Sequence, residues 1–258
     1  SRGCWSSADR KVEIFSKNIR KQRKQRQMSG WDAKGGHGTS SGEKLLRRLP
    51  TIPAAERNKK PIWDVVSRYL CGKVLEIGSG TGQHLAYFAA QDKNKVVGMW
   101  YPSDYVDNYF WSIEERTKTF KTVREPGIVD LLDEEWTSQA KELLKLEKCK
   151  SSSFDGIYLC NVAHIAPWSA TVALMEGAGK VLADNGLVSM YGPFIIDGKS
   201  AESNFRFSES LKRGDPNRGV RELREIENHA EKGGLKLVEV IDMPANNNIV
   251  IFRKHIQN

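Results

Sequence analysis

No apolar run in this chain approaches the roughly 18 residues that a membrane-crossing helix needs, and no hydrophobic signal core stands at its N-terminus. The expectation is a soluble protein of the cytoplasm or nucleus, without a membrane partner. Cysteine is equally sparse. Cys4, Cys71, Cys149 and Cys160 form neither a C-x-x-C pair nor a regular framework, which argues against a metal site and a disulfide scaffold. A reducing compartment fits that usage.

The body of the chain also lacks basic excess. Residues 1–57 hold 14 Lys or Arg against 5 Asp or Glu, so of the 40 and 32 in the whole chain the other 201 residues keep 26 and 27. The net positive charge is therefore a property of the front segment, and nucleic acid is disfavoured as the partner of the remainder. Residues 1–57 read as an extension without a packed core, with the basic run 17–26 and the Gly/Ser-rich stretch 30–42. The functional reading of that extension is nuclear import or weak nucleic-acid contact, and the alternative is a solvated tail. Met28 is a candidate initiator, with the basic run upstream of it.

From residue 58 the pattern is that of an ordered domain, 58–258. The stretch that organises it is Lys73-Val74-Leu75-Glu76-Ile77-Gly78-Ser79-Gly80-Thr81-Gly82-Gln83-His84. A short apolar run delivers an acid and three alternate glycines into a helical pattern, which reads as strand, tight turn and helix. Such a turn lets a ligand approach the main chain closely, with the free amides of the helix facing it. The spacing E-x-G-x-G-x-G differs from the dinucleotide fingerprint G-x-G-x-x-G and favours an S-adenosylmethionine pocket.

The remaining elements follow in alternation. Pro61 stands at an expected helix entrance ahead of Ile62, Val65, Val66 and Tyr69. Strands are expected at 95–101, at a segment ending near 129–131, and at 154–160 and 187–191, with a helix at 111–120, a loop at 161–168 and a helix from Val172 to about Asn185. A helix on Leu223, Ile226 and Ala230 stops at Gly233-Gly234, and two late strands follow, 235–241 and 249–252. This alternation implies an α/β fold with a mostly parallel sheet and helices on both faces, its ligand crevice beyond the carboxyl ends of the strands. Asp104 lies 22 positions after Gly82, close to the roughly 20 at which an acid holds a ribose hydroxyl; a capping role is the alternative.

These residues resemble the class I, Rossmann-like S-adenosylmethionine-dependent methyltransferases, and within them the family of methyltransferase-like protein 26. The resemblance rests on Arg57-Asn58-Lys59-Lys60-Pro61-Ile62, the glycine stretch, Pro102-Ser103-Asp104, Asn161-Val162-Ala163-His164-Ile165-Ala166-Pro167-Trp168, Tyr191-Gly192-Pro193-Phe194, Ser203-Asn204-Phe205-Arg206-Phe207 and the 242–248 loop. Where that family tends to have Trp-Gly-(apolar)-Arg-Asp, this chain has Arg218-Gly219-Val220-Arg221-Glu222.

The resemblance implies a seven-stranded sheet whose last strand is antiparallel, and methyl transfer from S-adenosylmethionine. It implies that Glu76, Gly78, Ser79, Gly80 and Gln83, in a loop completed by Thr81 and Gly82, hold the amino-acid end of the cofactor. Asp104 would hold the ribose, Asp130 with Leu131 the adenine, and Asn161 would lie beneath the methionine portion. His164 is the expected catalytic side chain, as a base or an orienting group, with a structural hydrogen bond as the alternative. Trp168, Tyr191 and Phe194 form an acceptor wall or simply core, and Asn204 and Asn246 bind acceptor polar groups or shape turns. The acceptor itself is open: no N-P-P-Y element follows the fourth strand, which favours a small molecule or a protein side chain. A non-catalytic cofactor-binding protein and a nicotinamide-dependent oxidoreductase are the alternative functions.

Overall fold

The computed structural model describes residues 48–145 and 152–255. The basic run, the Gly/Ser-rich stretch, Met28, Cys4 and Cys149 lie outside the described residues. The unit that holds the described residues begins at Arg48, so it takes in residues 48–57, which the sequence pattern groups with the extension.

In chain order the elements are α1 (Pro53–Val66), β1 (Lys73–Ile77), α2 (Gln83–Gln91), β2 (Met99–Asp104), α3 (Phe110–Thr117), β3 (Gly127–Ile128), α4 (Trp136–Lys145), β4 (Phe154–Cys160), α5 (Val162–Ile165) and α6 (Trp168–Gly177). A 3-10 turn (Ala178–Lys180) leads to β5 (Leu182–Gly192), β6 (Phe194–Ile195), α7 (Glu202–Gly214), β7 (Arg221–Glu222), α8 (Leu223–Lys232), β8 (Leu235–Met243) and β9 (Asn247–Lys254). Seven strands form one sheet in the order β3-β2-β1-β4-β5-β9-β8, and β6 pairs with β7 separately. Strands β1 to β5 are mutually parallel, whereas β9 runs antiparallel to β5 and β8. The strand order reverses direction at β1 and β4, the topological switch point.

Side-chain alternation along the strands divides the core between the two faces. On β4, Ile157 and Leu159 join Leu75, Ile77, Val188, Met190 and Phe252 beneath α4, α6 and α8. Tyr158 projects to the opposite face with Val74, Trp100 and Ile251, against Ile62 and Val66 of α1, Leu85 and Phe88 of α2 and Ile113 of α3. Phe88 is the hub there, stacked on Trp63 at 5.2 Å and edge-on to Tyr158 at 5.5 Å.

Several expected boundaries move. The first helix enters at Pro53 and passes through Pro61; one missing backbone bond is tolerated because the turns before Pro61 are tied to the domain by side chains described below. The second strand is 99–104 rather than 95–101. Its Pro102 is accommodated because alternate residues of β2 face the β3 side, where Trp100 N donates to Thr122 O at 2.7 Å and Asp104 O accepts from Val129 N at 3.1 Å, leaving Pro102 between the two pairings. The third strand shrinks to two residues, 127–128. The expected loop 161–168 holds the one-turn helix α5. The helix expected to reach Asn185 ends at Gly177, because β5 starts at Leu182 and bulges between Leu182 and Leu187, with Asn185 at φ 63°.

Candidate cofactor crevice

Strand β1 ends with Glu76 and Ile77 and opens into the glycine loop. Gly78 and Gly80 both have positive φ, 71° and 52°. A Cβ on Gly78 would lie 2.6 Å from Val162 Cγ2, so the loop presses against the start of α5, whereas a Cβ on Gly80 would meet nothing within 4 Å. One glycine closes the loop onto the protein; the other faces free space.

Asp104, the last residue of β2, reaches this loop. Its Oδ2 accepts from Gly80 N at 3.0 Å and its Oδ1 from Tyr105 N at 2.9 Å. Burial pushes its carboxyl above the ordinary range, opposed by the amides of Gly80, Tyr105 and Val106. Glu76 is more deeply buried, 3% exposed. Burial raises it to about 7, Ser79 Oγ opposes this by donating to Glu76 Oε2 at 2.7 Å, and Asp104 adds repulsion. The two strand ends are fastened by serines: Ser103 Oγ donates to Glu76 O at 2.7 Å and Ser103 N to Ser79 Oγ at 3.1 Å. No ion pair of Glu76 occurs among the described residues, so this carboxyl is a buried acceptor without a cation.

Gln83 and Thr81 are placed otherwise than the cofactor assignment implies. Gln83 Oε1 accepts from Ile52 N at 2.6 Å and from Thr81 Oγ1 at 2.9 Å, while Nε2 donates to Glu56 Oε1 at 2.6 Å and to Ile52 O at 3.4 Å. A primary amide has two donors and two acceptor positions. All four are used, so Gln83 faces the N-terminal segment and has no hydrogen bond left for a ligand. Gly82 is the N-cap residue of α2.

Beyond β4, Asn161 takes a left-handed backbone, φ 61°, and its N donates to Tyr191 O at 2.8 Å. His164 on α5 is buried, with its ring edge-on to Phe207 at 5.4 Å and packed at Gly192, where an added Cβ would lie 3.2 Å from Nδ1. Burial, helped by the charge of Arg221, lowers its ring to about 4. The ring is thus held neutral and weakly basic in the fold, which of the two expected roles, base and orienting group, favours the second. Asp130 and Leu131 follow β3; Asp130 Oδ1 accepts from Leu132 N at 3.0 Å in a turn, and Leu131 is buried.

The supposed aromatic wall is split by the sheet. Tyr191 lies on the α1 and α2 face, Phe194 in the opposite cluster. Trp168 stacks under the Arg221 guanidinium at 5.4 Å and meets His229 edge-on at 5.7 Å. Burial raises the Tyr191 hydroxyl above its ordinary value and the nearby Asn58 side chain opposes this, while Asn58 Oδ1 itself meets His84 Nε2 at 2.8 Å. The neighbouring Cys160 thiol is pushed up to about 12 by burial, so it is no nucleophile. Asn204 and Asn246 come together but bind protein: Asn204 Nδ2 donates to Asn246 O at 2.8 Å and to Ser200 Oγ at 3.0 Å, and Asn246 Nδ2 to Ser203 Oγ at 3.1 Å. Through these nitrogens they staple the 244–246 turn to α7.

Two residues escaped the sequence reading. Arg221 donates to the carbonyls of Ala163 and Ala166, each at 2.9 Å, and of Asn217 at 2.6 Å, holding α5 and the loop after it. Arg116 donates to Pro50 O at 2.7 Å. The position of Arg221 in the motif is the only signal that pointed to it.

The fold matches solved methyltransferase structures. An O-methyltransferase family 2 protein from Planctomyces limnophilus DSM 3776, in complex with apigenin, gives a TM-score of 0.60 at 14% identity over 78% of this chain and 58% of that one. The mitomycin 7-O-methyltransferase MmcR gives 0.58 at 14% identity, with 77% and 54% covered. CalO1, a methyltransferase of calicheamicin biosynthesis in its SAH-bound form, gives 0.55 at 14% identity, with 77% and 53% covered. The chain spans little more than half the length of these proteins, and at such identity the likeness is one of fold: a Rossmann-like methyltransferase sheet. A family model matches residues 49–254, nearly the whole described domain, and the chain belongs to the family it defines, described as "Protein of unknown function (DUF938)".

Proposed function

We propose that this protein is an S-adenosylmethionine-dependent methyltransferase. The observation that carries the reading is the meeting of Asp104 with Gly80 at the switch point, where an acid on β2 and an open glycine on the β1 loop frame one crevice. The residues fit the cofactor: a Cβ at Gly80 would project into free space, and the buried Glu76 carboxyl suits a ligand ammonium. Glu76, Gly78, Ser79, Gly80 and Gly82 would hold the amino-acid end, Asp104 the ribose, Asp130 and Leu131 the adenine, with Asn161 beneath the methionine portion. The cofactor supplies an activated methyl group with its own leaving group; the protein's task is to align the acceptor and exclude water.

For the acceptor, a small molecule or a protein side chain is favoured. The near-balanced charge of residues 58–258 disfavours a polyanionic acceptor, and Ile165, next to His164 in the chain, and Phe207, packed on its ring, are 48% and 40% exposed. His164 would orient the acceptor rather than ionise it. Within the class, the chain reads as a relative of methyltransferase-like protein 26, on motifs of which three meet at Asn58, His84 and Tyr191; its place would be the cytoplasm or nucleus. The neutral His164 supports a second reading, a protein that binds the cofactor and acts through partners.

The test is a thermal shift with S-adenosylhomocysteine and with NAD in parallel. Stabilisation by the first and not by the second is expected. Stabilisation by NAD alone would replace the reading with the oxidoreductase.

A further inference from the structure

Residues 50–56 reach the helix that follows the glycine loop, and two side chains hold them there. Arg116 on α3 donates to Pro50 O at 2.7 Å. The Gln83 amide pairs with both the N–H and the carbonyl of Ile52, as a strand neighbour would, and its Nε2 also donates to the Glu56 carboxylate at 2.6 Å. The same Gln83 oxygen accepts from Thr81 Oγ1, one residue beyond Gly80, and Thr81 O accepts in turn from Ser112 Oγ at 2.9 Å. One buried amide oxygen therefore joins the N-terminal segment to the loop.

We infer that Gln83 is a positioning residue: residues 50–56 form a strap that it latches to the glycine loop, so that closure of the strap and binding of a nucleoside cofactor at that loop are coupled. This rests on the cofactor reading given above. With the strap away, the Gln83 side chain loses the partners that fix its rotamer, Ile52 and Glu56, and Thr81 loses a fixed acceptor. The loop is then no longer preorganised, and a ligand must bear the ordering cost itself. With a ligand in place the loop is fixed and the strap closes more tightly, which is the reciprocal of the same coupling. The type of residue follows from the task. An amide matches a peptide group's N–H and C=O at once, which a carboxylate or an alkyl chain does not.

The experiment uses the full-length chain with S-adenosylhomocysteine as probe, and reads its Kd by calorimetry and the exchange rate of the Ile52 amide by NMR. In the wild type the probe slows Ile52 exchange. Gln83→Glu sets two carboxylates against each other at position 56 and weakens binding about tenfold, with Ile52 exchanging fast. Adding Glu56→Gln restores a donor opposite position 83 but leaves Ile52 O without one, and so recovers part of the lost affinity. Arg116→Met, which leaves the loop residues untouched, gives a smaller loss of about two- to fivefold and serves if the Gln83 variants do not fold. Wild-type affinity in both Gln83→Glu and Arg116→Met overturns the strap, as does an Ile52 exchange rate indifferent to the probe. A swap that folds but binds as weakly as Gln83→Glu also overturns it, because Gln83 would then serve the ligand directly. A wild type that binds no S-adenosylhomocysteine sinks the cofactor reading, and the coupling with it, whereas intact binding with indifference to position 83 sinks the strap alone.

Discussion

The side chains of Asn58 and His84 meet at 2.8 Å although 26 residues separate them in the chain. Burial lowers His84 to about 4, so its ring is neutral at physiological pH and Nε2–H donates to Asn58 Oδ1. The Asn58 side chain also lies near the Tyr191 hydroxyl and opposes the upward push of burial on it. Three motifs that look unrelated in sequence, around residues 58, 84 and 191, thus meet in one polar cluster. Its members explain why α1 is locked upstream of Pro61.

Glu76 gives a pH signature. Its carboxyl rises from 4.5 to about 7 on folding, so the folded state keeps a proton the unfolded chain releases, and stability falls as pH climbs through that interval. His84 and His164 drop from 6.5 to about 4 and act the other way, costing stability as pH falls from 6.5 to 4. Glu76→Gln removes only the first effect. The ligand-free variant should be more stable than the wild type by roughly 1–3 kcal/mol at pH 8 and about equal to it at pH 4.5, by urea unfolding. A variant less stable at pH 8 would show that the carboxylate is not penalised by burial.

Asp104→Asn keeps the shape of the side chain and removes its charge. Hydrogen bonds to a charged group contribute about 1.5–3 kcal/mol, so affinity for S-adenosylhomocysteine should fall by roughly ten- to a hundredfold, and the melting temperature should drop as well, because one of the two oxygens that accept from Gly80 N and Tyr105 N becomes a donor. Unaltered affinity in calorimetry would remove Asp104 from the cofactor site.

His164 should not titrate in the physiological range. Its ring-proton NMR shifts are expected to stay constant from pH 8 down to about pH 5.5, since burial holds the ring near 4. A midpoint between pH 6 and 7 would mean that the ring is solvated and would revive it as a general base.

Arg221 holds three carbonyls and lies on the Trp168 ring. Lysine cannot reproduce a planar fork of donors, so Arg221→Lys should cost about 1–3 kcal/mol in urea unfolding. A loss as small as that of an exposed-site change would show that α5 is held by packing alone.

How far the sequence revealed this molecule depends on where burial is local. Residues 154–160 are legible as β4 to the residue, because an apolar run bounded by polar loops allows no other reading. Leu223, Ile226 and Ala230 mark α8 for the same reason. In contrast α7 buries only Asn204 and Ser208, so its inward face carries no hydrophobic period. Helix α4 buries Trp136, Ala140 and Leu144 at a spacing of four, a signal that was present and unread. The glycine loop and Asp104 were legible as neighbours because strand order brings their positions together in any fold of this kind. The partners of Gln83, the division of Tyr191 from Phe194 and the pairing of Asn204 with Asn246 were not, since each depends on which face of an element a side chain leaves.

The central claim is that an S-adenosyl nucleoside lies along residues 78–82 with its ribose on Asp104. A crystal structure of the full chain with S-adenosylhomocysteine tests it most directly. The account predicts density in the free space before Gly80, both ribose hydroxyls within hydrogen-bond distance of the Asp104 carboxylate, and the ligand ammonium near Glu76. Density elsewhere on the molecule, or a crevice filled by the protein's own side chains at saturating ligand, would contradict it.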